Sequence, residues 1–229
     1  MRLGVVGSLR PPPSARTTLW GRRLRRRRRN RFILAAMIVC GVDEAGRGPW
    51  AGPVVAAAVI LPPEGAPKGV ADSKTLTPAR RAALETAIKA SCVWALGEAS
   101  ALEIDQLNIR QATHLAMRRA IAGLALSPHL ALVDGADAPK ADCQVRALIG
   151  GDALEPAISA ASILAKEHRD RLMRGLCEAY PGYGLSAHKG YGVPAHAAAL
   201  ALLGPCPIHR MSFKPVREAA EAAARRNGG

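Results

Sequence analysis

The chain has 229 residues, 49% of them apolar and 22% charged, with 22 Gly and 17 Pro dispersed along it; this is the composition of a folded domain, not of a collagen-like or low-complexity chain. No apolar run approaches the length of about eighteen residues that a spanning helix needs, and aromatics at 3% leave too few rings for an extended base-stacking platform. The net charge of +14 is unevenly spread: residues 1–36 hold eleven Arg and no acid, while residues 37–229 set 21 Lys and Arg against 18 Asp and Glu, so global charge does not establish a nucleic-acid partner.

At the front, Pro11 to Pro13, the run Arg25 to Arg29 and an apolar patch from Phe32 to Ala36 precede Met37. The patch is too short for the apolar region of a secretory signal. An organellar transit peptide or a phosphate-gripping arm suits the composition. The plainest reading is a basic, disordered upstream extension, with Met37 as the true start and residues 37–229 forming one domain.

Two continuous apolar runs follow, Ile38 to Val42 and Val54 to Leu61, and read as strands buried on both faces. Thr77-Pro78 opens a capped helix to about Ala90, and Cys92 to Gly97 reads as a strand. Ile109, Ala112, Ala116, Met117, Ala120, Ile121 and Leu124 form one stripe of an amphipathic helix over 109–126. Strands are expected at Leu130 to Val133 and Cys143 to Ile149. A long helix over 158–176 should face Ile158, Ala161, Ser162, Ala165, Leu172 and Leu176 inward and Lys166, Arg169, Asp170 and Arg171 outward. The tail from Val216 reads as a frayed helix. This order predicts an α/β domain with a mixed sheet and a helical C-terminal portion.

Asp43-Glu44, Asp134 and Asp152 each fall where a strand or turn is expected to give way to a loop, which is where α/β folds place sites. Four clustered carboxylates repel one another unless a cation neutralises them, and oxygen donors suit a hard divalent ion. Two such ions could drive in-line displacement at a phosphodiester. Adjacent carboxylates point to opposite faces of a regular strand, so the strand is expected to end or bulge near Gly46. Taken singly, Asp134-Gly135 and Asp152 also read as ordinary turn residues. Gly46-Arg47-Gly48 lacks the ending of a triphosphate-binding loop.

Together, Val42-Asp43-Glu44-Ala45-Gly46-Arg47-Gly48-Pro49, Ala51-Gly52-Pro53-Val54, Asp72-Ser73-Lys74, Leu132-Val133-Asp134-Gly135, Gly151-Asp152, Ala160 to Lys166 with Arg169-Asp170, Tyr180-Pro181, His188-Lys189-Gly190-Tyr191 and Pro207-Ile208-His209-Arg210 resemble, in order, the motifs of bacterial type 2 ribonuclease H, the ribonuclease HII family. The resemblance runs from about residue 38 to 216. It implies a ribonuclease H-like fold with a central mixed five-stranded sheet flanked by helices. It also implies metal-dependent endonucleolytic hydrolysis of the RNA strand of RNA/DNA hybrids, and incision 5′ to single ribonucleotides in duplex DNA, leaving 5′-phosphate and 3′-hydroxyl ends.

By the same resemblance, Asp43, Glu44, Asp134 and Asp152 are the catalytic metal-binding carboxylates, holding Mg²⁺ or Mn²⁺, with two ions in the catalytic complex. Gly46, Arg47 and Gly48 form a ribonucleotide-sensing loop, and Tyr191 reads the RNA–DNA junction. Lys74, Lys166, Arg169, His188 and Lys189 are expected substrate-backbone contacts, whereas Asp170 is read as the i+4 partner of Lys166. Tyr180 and Tyr183 are read as packing residues. Trp50 is bulky for its position beside the sensing loop. Residues 1–36 are too few for the extra N-terminal domain of ribonuclease HIII. Another nuclease on the same fold, or a silent hybrid-binding protein, are the competing readings. Five scattered Cys without a CxxC pair suggest a reducing, cytoplasmic setting; no membrane association and a monomeric state are expected.

Overall fold

The computed structural model describes residues 37–70 and 76–227. Five strands, β1 (Val39–Ala45), β2 (Val54–Ile60), β3 (Val93–Ala99), β4 (Leu130–Asp134) and β5 (Gln144–Leu148), form one sheet in the order β3-β2-β1-β4-β5. β2 pairs antiparallel with β1 and β3, whereas β4 pairs parallel with β1 and β5. The expected mixed five-stranded sheet is therefore present.

All seven residues of β2 are buried, and the alternation of a strand explains where they go. Val54, Ala56 and Ala58 join a core cluster with Ile104, Ala112, Ala116, Met117 and Ala120. These come from α2 (Ala101–Leu107) and α3 (Ile109–Ala122). Ala57 and Val59 turn to the other face, among Leu84 and Ile88 of α1 (Pro78–Ser91) and Ala160, Ile163 and Leu164 of the long helix α5 (Pro156–Ala179). Small side chains on β2 let helices lie close on both faces of the sheet.

Helix boundaries follow local chemistry. Thr77 caps α1 by accepting from the Arg80 amide, with Pro78 at the first helical position. Ser100 and Glu103 form a reciprocal capping box at α2, an element the sequence reading omits although its Ser-x-x-Glu signature is plain. The short α4 (Gly151–Leu154) and α6 (Leu185–His188), then α7 (Pro194–Leu203) and α8 (Lys214–Asn227), complete the order. In α8, Val216 is fully buried, in a cluster with Ala51, Met173, Tyr183, Leu185 and Leu200, so the tail is a docked helix.

β1 ends at Ala45, immediately before Gly46 as expected, and does so without a bulge, because Asp43, Glu44 and Ala45 pair in regular register with Ala57, Ala56 and Val55. One expectation is corrected: Arg169 and Asp170 do not face outward but are buried, Arg169 lying under the 46–53 segment and Lys189, whose carbonyls it bonds. Among the described residues, no helix is long and apolar enough to cross a membrane, and all five cysteines are free thiols.

Candidate active site

β1 and β4 run parallel, with Val42 opposite Val133. Asp43 and Asp134 therefore each follow one member of the same pair, which brings two carboxylates side by side at the strand ends. Asp43 is almost fully buried. It accepts the Glu44 amide at 2.7 Å, with Ser162 of α5 beside it. Glu44 turns to the opposite face of the strand, toward a small cleft shared with Arg47, Thr113, His114, Met117 and Asp134. Arg47 Nη1 reaches Glu44 Oε1 at 3.3 Å.

Asp134 Oδ1 accepts the Gly151 amide at 2.7 Å. That contact ties the end of β4 to the start of α4, and Asp152 follows as the next residue, also buried. The Asp152 carbonyl accepts from the Ser159 hydroxyl on α5. Asp152 thus follows a turn, as expected, but lies in the first turn of a short helix instead of in a loop.

Burial, reinforced by the charges of Glu44 and Asp134, raises the Asp43 carboxyl well above the ordinary carboxylate range. Burial also raises Glu44, against the opposing pull of Arg47. Asp43 and Glu44, which burial makes reluctant to ionise, belong to a donor set of four carboxylates whose oxygens suit a hard divalent cation. As the side chains stand, no three His, Cys, Asp or Glu groups among the described residues enclose one point; Asp43, Glu44 and Asp134 are held on protein donors.

Beside the carboxylates, Gly46 takes φ +97°, and a Cβ there would lie 2.0 Å from Arg169 Nε, so glycine is required on both counts. Arg47 and Gly48 are exposed. A Cβ on Gly48 would stand 3.5 Å from the Tyr191 ring, so the loop and the half-exposed tyrosine border one surface. Trp50 packs under this junction: its amide donates to the Gly190 carbonyl at 2.8 Å, and its ring lies where a Cβ on Gly192 would be. The bulk of Trp50 is accommodated because residue 192 has no side chain.

The remaining expected contacts divide. Lys74 lies outside the described residues, as do Asp72 and Ser73. Lys166 is partly exposed and pairs with Asp170 at 2.8 Å, the partnership expected for Asp170. Arg169 is corrected: it is 2% exposed and donates to the carbonyls of Pro53, Ala51 and Lys189, so its guanidinium faces inward. His188 engages both ring nitrogens within the protein, donating from Nε2 to the Tyr183 carbonyl and accepting the Gly190 amide at Nδ1. Lys189 folds its Nζ onto the Ser186 carbonyl. Tyr183 is a packing residue, as expected, with its hydroxyl donating to the Gly204 carbonyl at 2.8 Å.

The sequence reading misses Arg210, which is fully buried and bonded to the carbonyls of Gly46, Arg47 and Gly52. Its place in Pro207-Ile208-His209-Arg210 is visible in the sequence, but nothing local indicates that this distant segment closes on the loop.

Residues 40–216 match the family model described as Ribonuclease HII. The ribonuclease HII of Caulobacter vibrioides is 57% identical over 187 residues, covering 81% of this chain and 89% of that protein. The crystal structure of the ribonuclease H2 from Pyrococcus horikoshii is similar with a TM-score of 0.69 and 29% identity, over 81% of this chain and 98% of that one. A structure of Bst ribonuclease HIII in complex with Mn²⁺ resembles it at a TM-score of 0.68 and 22% identity, over 83% of this chain and 71% of the other, a likeness of fold alone.

Proposed function

The chain belongs to the ribonuclease HII family, whose members are ribonuclease H-type endonucleases, and from that premise we propose that it incises 5′ to single ribonucleotides in duplex DNA and hydrolyses the RNA strand of RNA/DNA hybrids. The products are 5′-phosphate and 3′-hydroxyl ends. The observation that carries this reading is the adjacency of three features: the carboxylates at the ends of β1 and β4, the Gly46-Arg47-Gly48 backbone, and the Tyr191 ring.

Asp43, Glu44, Asp134 and Asp152 would hold Mg²⁺ or Mn²⁺, with two ions in the catalytic complex. A bound divalent ion supplies Lewis-acid polarisation of the phosphodiester and a water acidic enough to attack at neutral pH. Mn²⁺ is the ion in the ribonuclease HIII structure of like fold. The Glu44 and Gly151 amides orient the Asp43 and Asp134 carboxylates, so these groups meet the substrate already placed.

The Gly46-Arg47-Gly48 backbone recognises the 2′-hydroxyl, the group that distinguishes RNA from DNA. Tyr191 stacks on the sugar of the neighbouring deoxynucleotide, where a second 2′-hydroxyl would clash. Lys166 and Lys74 supply backbone-positioning charge. Residues 37–229 form the catalytic domain and residues 1–36 a basic extension dispensable for specificity.

Replacing Asp43 or Asp134 with Asn removes a charged ligand and little surface. Each variant is expected to lose cleavage by at least about a hundredfold while binding the ribonucleotide-containing duplex with near-normal affinity. Near-normal turnover by either would overturn the assignment.

A further inference from the structure

We propose that Arg210 is the positioning residue that aims the backbone N–H groups of Arg47 and Gly48 outward, toward the substrate's 2′-hydroxyl. The inference rests on the sensing role proposed above for the loop. It concerns a side chain that lies outside the carboxylate site and is fully buried.

Arg210 spreads its guanidinium across three carbonyls. Nη2 donates to Gly46 O at 2.6 Å, Nη1 to Arg47 O at 3.0 Å, and Nη2 and Nε both donate to Gly52 O, at 2.8 and 3.0 Å. In a planar trans peptide the C=O and the following N–H point in opposite directions. Drawing the Gly46 and Arg47 carbonyls onto a buried cation therefore turns the Arg47 and Gly48 N–H groups away from the interior. Those two residues are the exposed ones of the loop, whereas Gly46 is buried.

The clamp is reinforced on both sides. The Arg210 amide donates to Trp50 O at 2.8 Å, and the Gly52 amide to Ile208 O at 2.9 Å, across an antiparallel bridge between Ala51 and His209. Arg169 of α5 takes the carbonyls of Ala51 and Pro53 and that of Lys189, coupling the loop to the turn that carries Tyr191. Burying a guanidinium is costly unless its donors are satisfied. A guanidinium holds its five N–H donors in a fixed planar fork, a geometry that the compact, freely rotating ammonium of lysine does not reproduce.

The test compares wild type with Arg210→Lys, which keeps the charge and loses the fork. Cleavage of a duplex containing one ribonucleotide is measured beside affinity, in EDTA, for that duplex and for its all-DNA counterpart. The expected result is a fall in kcat of about a hundredfold, with the affinity preference for the ribonucleotide abolished and the all-DNA affinity held within about twofold, because phosphate contacts lie elsewhere. A merely structural role would lower both affinities together through the folded fraction, and that result, or wild-type behaviour, overturns the proposal.

Should Arg210→Lys fail to fold, the amide resonances of Arg47 and Gly48 in the wild-type protein, in EDTA, provide the readout. They should move differently on binding duplexes that differ only in one 2′-hydroxyl, and indistinguishable shifts overturn the proposal. Wild-type protein that cleaves no ribonucleotide-containing duplex defeats the sensing reading itself; wild-type cleavage with an unaffected Arg210→Lys defeats only the positioning role.

Discussion

Gly41 of β1 lies so close to Ala157 at the start of α5 that a Cβ at position 41 would stand 2.2 Å from the Ala157 carbonyl carbon and 2.3 Å from the Ile158 amide nitrogen. This approach sets how closely α5 lies over β1, and the same helix brings Ser162 to Asp43. Both obstructing atoms are backbone, so no rotamer change can relieve the clash. Gly41→Ala should therefore cost about 3 kcal/mol, read as a shift of the urea midpoint, and should depress turnover at temperatures where the variant remains folded. An unchanged midpoint would show that α5 can shift freely over the sheet.

Tyr191 borders the exposed Gly48 and is held from behind, its carbonyl accepting from His196 Nδ1 at 3.0 Å and from the Val193 amide at 2.9 Å. Tyr191→Ala removes the ring and leaves these backbone bonds. Cleavage at a lone ribonucleotide should fall about tenfold further than cleavage of a continuous hybrid, since base or sugar stacking contributes roughly 1–3 kcal/mol. Equal losses on the two substrates would remove Tyr191 from junction reading.

Much of this arrangement is legible in the sequence because it rests on short-range signals. The apolar runs of β1 and β2, the stripe of α3 and the Thr77-Pro78 cap fix elements through periodicity and local hydrogen bonding. The four carboxylates stand out through the motifs that hold them. What stays hidden depends on distant chain segments. A stripe analysis assigns Arg169 to solvent because it assumes one buried face, whereas α5 is covered by the sheet on one side and, at Arg169, by the 46–53 segment and Lys189. Arg210 reveals its role only when the carbonyls of Gly46, Arg47 and Gly52 are seen converging on it.

His209 and His196 meet edge to edge, Nε2 to Nε2 at 3.1 Å, so at most one can present a proton along that contact. Tyr183 lies against His209, and Cys206 Sγ approaches its Nδ1 at 3.2 Å. Burial, then the charge of His196, pushes His209 down to about 4 from the usual 6.5. The unfolded chain takes up this proton near the usual value and the folded protein only near 4. The associated stability is thus present at neutral pH and is lost as pH falls from about 6.5 toward 4. The limiting loss is about 3 kcal/mol. Urea unfolding between pH 7 and pH 5 should therefore show a steeper decline for the wild type than for His209→Asn, and parallel declines would refute the linkage.

Residues 1–36 contribute eleven Arg and no acid. Removing them should leave the ratio of cleavage on ribonucleotide-containing and all-DNA duplexes unchanged. If the segment neutralises phosphates, the deletion will also flatten the salt dependence of binding, by about 0.9 in the log–log slope for each phosphate it neutralises. A change in the choice of cleaved bond would contradict the boundary at Met37.

The most direct measurement maps the cut in an end-labelled duplex carrying one ribonucleotide, with Mg²⁺ or Mn²⁺, beside the identical duplex lacking that single 2′-hydroxyl. The expected result is one incision on the 5′ side of the ribonucleotide, leaving a 3′-hydroxyl, abolished by EDTA and absent from the all-DNA duplex. Incision that ignores the 2′-hydroxyl, or binding without incision in either metal, would contradict the assignment of Asp43, Glu44, Asp134 and Asp152 together with the Gly46-Arg47-Gly48 loop as a ribonucleotide-specific nuclease site.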